Sequence, residues 1–174
     1  MKLFKSITVG LLIVFGLVAC NEKNNYINVG PNWDALYKLD EKKSSFDIRV
    51  KLKKNYLLGD NMKLSVTSPK TGKLWVVYVD PNDKVSLMYP NPMAPDNTIK
   101  ANKALSIPAD DSWSVEAVEP LGHSLIAFIV TTGNGDLMDV FKESESKGIS
   151  KAIRLVEATP AWSMEKHVVE VKKK

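Results

Sequence analysis

Cysteine is almost absent from this chain of 174 residues: there is one, Cys20, and only two histidines, His123 and His167. A single cysteine excludes an internal disulfide, and so few soft ligands leave no paired-cysteine or HExxH pattern for a metal. Nothing after residue 20 is long and apolar enough to span a bilayer, which takes about 20 such residues. There is no internal repeat, no low-complexity tract and no glycine-rich phosphate loop. Charge of one sign is lacking too. The net charge is +4 and falls to +2 once Lys2 and Lys5 are set aside, which gives no basic footprint for nucleic acid.

What is present begins at the amino terminus. Lys2 and Lys5 precede ITVGLLIVFGLVA, an apolar run of the length a secretory signal core requires and short of a membrane span. The residues around the lone cysteine read Leu17-Val18-Ala19-Cys20, which resembles the bacterial lipobox, in which the cysteine is acylated and becomes the first residue of the mature protein. The expected organisation is a signal peptide over 1–19, a lipidated flexible tether over 20–32 and one domain over 33–174. Acyl chains on Cys20 hold such a protein on a membrane without any spanning segment. Asn21 stands where aspartate marks retention at the inner membrane of Gram-negative lipoproteins, so the resemblance favours the outer membrane, facing the periplasm. A Gram-positive host would change that placement. The remaining 174 − 19 = 155 residues are enough for one ordinary hydrophobic core.

Periodicity then gives the elements. WDALYKLDEKK, residues 33–43, predicts a short helix with Trp33, Leu36 and Tyr37 on one face and Asn32 as its cap. Phe46, Ile48, Val50 and Leu52 alternate with Asp47, Arg49, Lys51 and Lys53, the pattern of a strand with one wet face. Met62, Leu64 and Val66 repeat it after a turn at 58–61, and SPKTGK, residues 68–73, reads as a hairpin turn. LWVVYV, residues 74–79, is apolar on both faces and so belongs at the centre of a sheet. Residues 80–83 turn the chain, and strands follow at 85–89, 104–107, 113–118 and 124–131. A helix is expected over 136–147, a helix or strand after Gly148, and a last strand over 167–171. The expectation is a mainly β fold, an immunoglobulin-like β-sandwich with one or two short peripheral helices.

Over residues 57–130 the order of features resembles the bacterial domain of unknown function 4384. The likeness rests on WVVYVD (75–80), LMYPN (87–91), NTI (97–99), Ile107-Pro108 and EPLG (119–122), with Trp162 before a last strand. It implies an immunoglobulin-like sandwich and no catalytic residues, and its most specific elements are turn and core residues.

Chemistry is sparse. Gly122-His123-Ser124 sets a histidine beside a serine, but neighbours in a strand point to opposite faces and no GxSxG elbow exists. Asp110 and Asp111 sit in a polar loop, and an envelope hydrolase using His123 with one of them is the weakest reading. No catalytic residue, metal or cofactor is expected. The proline-stiffened connection YPNPMAPDNTIKANK, residues 89–103, offers Tyr89, Pro90, Asn91, Met93 and Ile99 as a binding surface, or else is a structural crossover with its apolar residues tucked in. The expected role is a non-enzymatic lipoprotein that binds an envelope protein, as an accessory module of a secretion or surface-assembly system, with no nucleic-acid partner. The alternative is a periplasmic inhibitor that neutralises a toxin or hydrolase.

Overall fold

With apolar residues on both faces, the strand β5 (Gly72–Val79) lies in the middle of the molecule: Leu74, Trp75, Val76, Val77 and Val79 are all buried. The computed structural model describes residues 30–39, 41–133 and 135–174. The signal peptide, Cys20 and most of the tether lie outside the described residues. In chain order the elements are α1 (Pro31–Lys38), a 3-10 turn (Glu41–Lys43), β1 (Arg49–Lys51), β2 (Asn55–Leu57), β3 (Asn61–Met62), β4 (Leu64–Thr67), β5, β6 (Val85–Tyr89), β7 (Thr98–Ile99), β8 (Ala104–Ile107), β9 (Val115–Glu116), β10 (Gly122–Thr131), α2 (Met138–Lys147), α3 (Ser150–Glu157) and β11 (Trp162–Lys172).

The main sheet runs β2-β11-β10-β5-β6, with β7 pairing the start of β5. All its pairings are antiparallel except that of β2 with β11. A second sheet, β1-β4-β8, covers one face, and a two-stranded ribbon, β3-β9, closes one end. Side chains alternate across a strand, so each long strand feeds two cores. Leu74 and Val76, Ile126, Phe128 and Val130, and Val169 and Val171 pack against Leu64, Val66 and Ile107 of the small sheet. Trp75, Val77 and Val79, Leu125, Ala127 and Ile129, and Trp162 and Met164 point the other way. The sandwich expected from the sequence is therefore there, and behind it three helices build a second core.

The helices cover that second face for readable reasons. In α1, Trp33 and Leu36 are buried, while Tyr37 is 41% exposed. The helix starts at Pro31, two residues before the expected domain boundary, and ends at Lys38, five before the expected stop. Asn32 is not its cap. Gly30 holds that position, and the orphan N–H groups of Asn32 and Trp33 donate to the Asp83 carboxylate at 3.0 and 2.7 Å. Asn32 instead bridges elements: its amide donates to Asp83 O at 2.9 Å and its oxygen accepts the Ile149 N–H at 3.1 Å. Gly148, at φ 83°, has that Asn32 oxygen 2.7 Å from where a Cβ would stand, so glycine is needed there on both counts.

In α2, Phe141 sets its ring 5.4 Å from that of Trp75. The helix lies on β6, whose Leu87 N–H donates to Glu145 at 3.2 Å, which blunts that sheet edge. α3 settles the ambiguity after Gly148 in favour of a helix, with Ala152 and Val156 buried one turn apart. Among the described residues the α-helices thus number three.

Two further expectations change. Residues 68–73 do turn the chain, with the Ser68 hydroxyl accepting the Lys70 N–H at 3.1 Å, yet they join β4 of one sheet to β5 of the other and form no hairpin. β11 starts at Trp162, five residues before the expected strand, and pairs with β10 from Trp162 to Val171.

Candidate functional site

The proline-stiffened connection is a crossover in which Tyr89, Pro90 and Ile99 are tucked in. Tyr89 and Ile99 are core residues, 4% and 0% exposed, and Pro90 is buried with them. The Tyr89 hydroxyl donates to Asp96 O at 2.6 Å. Asn91 shapes the turn: its amide donates to Met88 O and its oxygen accepts the N–H groups of Met93 and Ala94, each at 3.0 Å. Asn97, also buried, donates to Leu74 O at 3.1 Å and pins the loop to β5. Hydrogen bonds from Thr98 hold the Asp96 carboxyl below its ordinary range. Of the five residues read as a binding surface, Met93 alone is exposed, at 64%. Tyr89, Pro90 and Ile99 are corrected to core positions, and Asn91 to a turn former.

The candidate hydrolase residues are not brought together. Ser124 is fully buried on the sandwich face, its hydroxyl 2.8 Å from that of Tyr78. His123 points to the opposite face, where its Nε2 lies 3.9 Å from Glu170 on β11. Asp110 and Asp111 line a different cleft, of about 800 Å³, together with Lys51, Lys63, Ser106 and Trp113. Asp110 bonds Ser112, which holds its carboxyl below the ordinary range, and Asp111 lies 3.9 Å from Lys63.

Where His123 does point is the more informative place. α1 stops at Lys38, before it has covered the β2 and β11 side of the sheet. The uncovered sheet forms an open cleft of about 780 Å³. Its walls are Tyr37, Lys38 and Glu41 beside the helix end, and Lys54 and Asn55 at the β2 edge. Its floor is His123, Leu125, Val168 and Glu170. Lys166 fixes the helix end: its ammonium donates to Tyr37 O at 2.6 Å and Leu39 O at 2.7 Å, the terminal carbonyls of α1 that have no helical partner. It also lies 5.3 Å from the centre of the Tyr37 ring.

His167 lies on the neighbouring strand but on the sandwich face, where it acts as a fastener. Its Nε2 is 2.7 Å from Glu165 Oε1, while Glu165 Oε2 accepts the Val50 N–H of β1 at 3.1 Å. The main sheet is thereby tied to the small one. Among the described residues no three His, Cys, Asp or Glu side chains are placed to hold a metal ion, and no helix is long and apolar enough to cross a membrane.

Sequence reasoning missed this cleft because its residues come from four separated stretches. The single signal in the sequence was Lys53-Lys54-Asn55, a polar interruption between two strands, which says nothing of what folds beside it.

Residues 55–134 match the family described as Domain of unknown function (DUF4384). That span runs from β2 to just past β10 and extends the 57–130 stretch on which the resemblance rested. No curated protein and no solved structure matches the chain.

Proposed function

We propose that this chain is a lipoprotein of the cell envelope, held through acyl groups on Cys20 at the outer membrane and facing the periplasm, whose folded domain binds another protein without catalysis. In this reading it serves as an accessory to a secretion or surface-assembly system. The observation that carries the binding role is the cleft beside α1. It is open and mixed in charge, and it adjoins β2, which among the described residues pairs on one side only. The Leu57 N–H is taken by the Asp60 carboxylate at 3.0 Å, so an extended segment of a partner laid along β2 gains its main-chain hydrogen bonds at Asn55 and sets its side chains against Tyr37, Lys54 and His123, the recognition mode of strand addition. Separation of His123, Ser124, Asp110 and Asp111 into different faces and clefts supports a role without catalysis, since a nucleophile and its base must lie within about 3 Å of each other.

The test is affinity capture of the protein from its own envelope, beside a Cys20→Ser variant and a Lys54→Glu variant. A stoichiometric component of an envelope machine, lost with Cys20→Ser and weakened by Lys54→Glu, supports the proposal. Capture of a toxin or hydrolase instead points to an inhibitor. Turnover of a cell-wall or peptide substrate that disappears on one polar substitution would sink the non-enzymatic reading.

A further inference from the structure

The ends of the main sheet differ. At one end lie the C-terminal ends of β2, β11 and β5 and the first residues of β10 and β6, because β2 runs parallel to β11 while β10 is antiparallel to both β11 and β5. The loops there are sewn together: Gly59 N–H donates to Ala117 O at 2.8 Å, Ala117 N–H to Asp60 O at 2.9 Å and Leu58 N–H to Lys172 O at 2.8 Å. Gly122 abuts Pro81 of the β5–β6 turn. These rigid loops carry Leu57, Val118 and Leu121, which are 44%, 55% and 39% exposed. They are half of the six large apolar side chains exposed among the described residues, gathered on one rim.

Gly30 is at the same end, against Asp83 of the β5–β6 turn. Ten residue steps separate it from Cys20, a reach of at most about 35 Å even fully extended. β11, with 11 residues, is itself roughly 36 Å long. A bilayer holding Cys20 therefore stays near this rim, and the opposite end reaches it only if the whole tether doubles back along the domain. Charge on the rim is mixed, with Lys174 and Glu116 both near Gly59 and with Asp60 and Asp83 in the loops of the same end, so the apolar side chains decide the case.

Resting on the lipid-anchor reading, we infer that this rim faces the bilayer, with Leu57, Val118 and Leu121 seated at the boundary of headgroups and acyl chains. Amphipathic protein surfaces settle at that depth, and the anchor holds this one at high local concentration. The domain then stands upright on the membrane. The far end of the sheet, where β7 pairs with Gly72, is presented to the periplasm.

The experiment uses the full chain, expressed with its own leader, purified from membranes and placed in vesicles of phosphatidylethanolamine and phosphatidylglycerol that carry a lipid-borne quencher. Thiols are introduced one at a time as Val118→Cys, Leu121→Cys and Leu57→Cys, with Lys100→Cys at the far end, and labelled with a polarity-sensitive dye. Acylation blocks Cys20 itself, and the mass of its peptide reports the anchor separately. Acylated protein with several-fold stronger quenching at 57, 118 and 121 than at 100 is the expected result. Acylated protein with equal quenching at both ends, or stronger at 100, overturns the inference and leaves the anchor intact. An unmodified Cys20 thiol removes the anchor and the inference with it. The three rim positions are independent, so a variant that fails to fold does not decide the outcome.

Discussion

The two faces of the main sheet are buried by different stretches of chain. The sandwich face is closed largely from within residues 55–134, by β4 and β8, with Ile48 and Val50 added at the edge. The other face takes Trp75, Val77, Val79, Leu125, Ala127 and Ile129 from that span, and covers them with Trp33, Leu36, Phe141, Ile149, Ala152 and Val156 from outside it. β11, also outside, pairs with β10 from Trp162 to Val171. The family-like span is therefore a structural half. Its sheet carries a second apolar face that only the flanking chain can bury, and the flanking chain also builds one wall of the cleft.

The largest expected effect breaks the comparison outright. Residues 55–134 produced alone lose β11 and every helix, so they should show no cooperative thermal unfolding and should bind a dye specific for exposed apolar surface. A sharp melt from that fragment would mean that the sandwich half is self-sufficient.

Next, Phe141→Ala on the helix side and Phe128→Ala on the sandwich side should each cost about 3–5 kcal/mol in denaturant unfolding, because both rings are fully buried. Near-equal values make the helix layer as structural as the sandwich, whereas a cost below about 1 kcal/mol for Phe141→Ala would make it peripheral. Smaller is Asp83→Ala, which strips the acceptor from the Asn32 and Trp33 N–H groups and should cost about 1–2 kcal/mol. Its signature is faster amide exchange in α1, with β10 unchanged.

The smallest effect concerns Glu143 on α2, whose carboxyl Lys147 and Lys151 hold down to about 2 from an ordinary 4.5. Because the folded value is depressed, the unfolded chain takes up the proton first as the pH falls. The contribution is thus present above about 4.5 and lost as the pH drops through about 2. The group is partly exposed and screened, so Glu143→Gln should lower stability only slightly at pH 7, and its difference from the parent should shrink towards zero as the pH falls through about 2. A gap undiminished at pH 2 would contradict that origin.

Much of the small sheet was legible because its strands have one wet face. The alternation from Phe46 to Leu52 appears as alternating burial even though hydrogen bonding makes a strand only of Arg49–Lys51. Met62, Leu64 and Val66 are likewise all buried, although the chain breaks at Lys63 to pair with two different partners. β2 was not legible: of Asn55, Tyr56 and Leu57 only Tyr56 is buried, which leaves no period to read. β11 hides for another reason. Trp162 and Met164 serve the helix-side core, but residues 165–168 are half-buried and break the alternation before Val169 and Val171 resume on the other face. Turn residues revealed where 68–73 bends, though not which sheet the next strand joins. The cap of α1 and the cleft depend on contacts across wide gaps in the chain, such as the 51 positions between Asn32 and Asp83, and no local pattern encodes those.

The most direct measurement is native-state hydrogen exchange on the full chain, following the amides of α2 and α3 beside those of β10. If the two cores form one cooperative unit, the slowest helix amides and the slowest β10 amides should open with the same free energy and the same dependence on denaturant. Helix amides that exchange through a cheaper opening, while β10 stays protected, would contradict it and reduce the helix layer to a detachable cover.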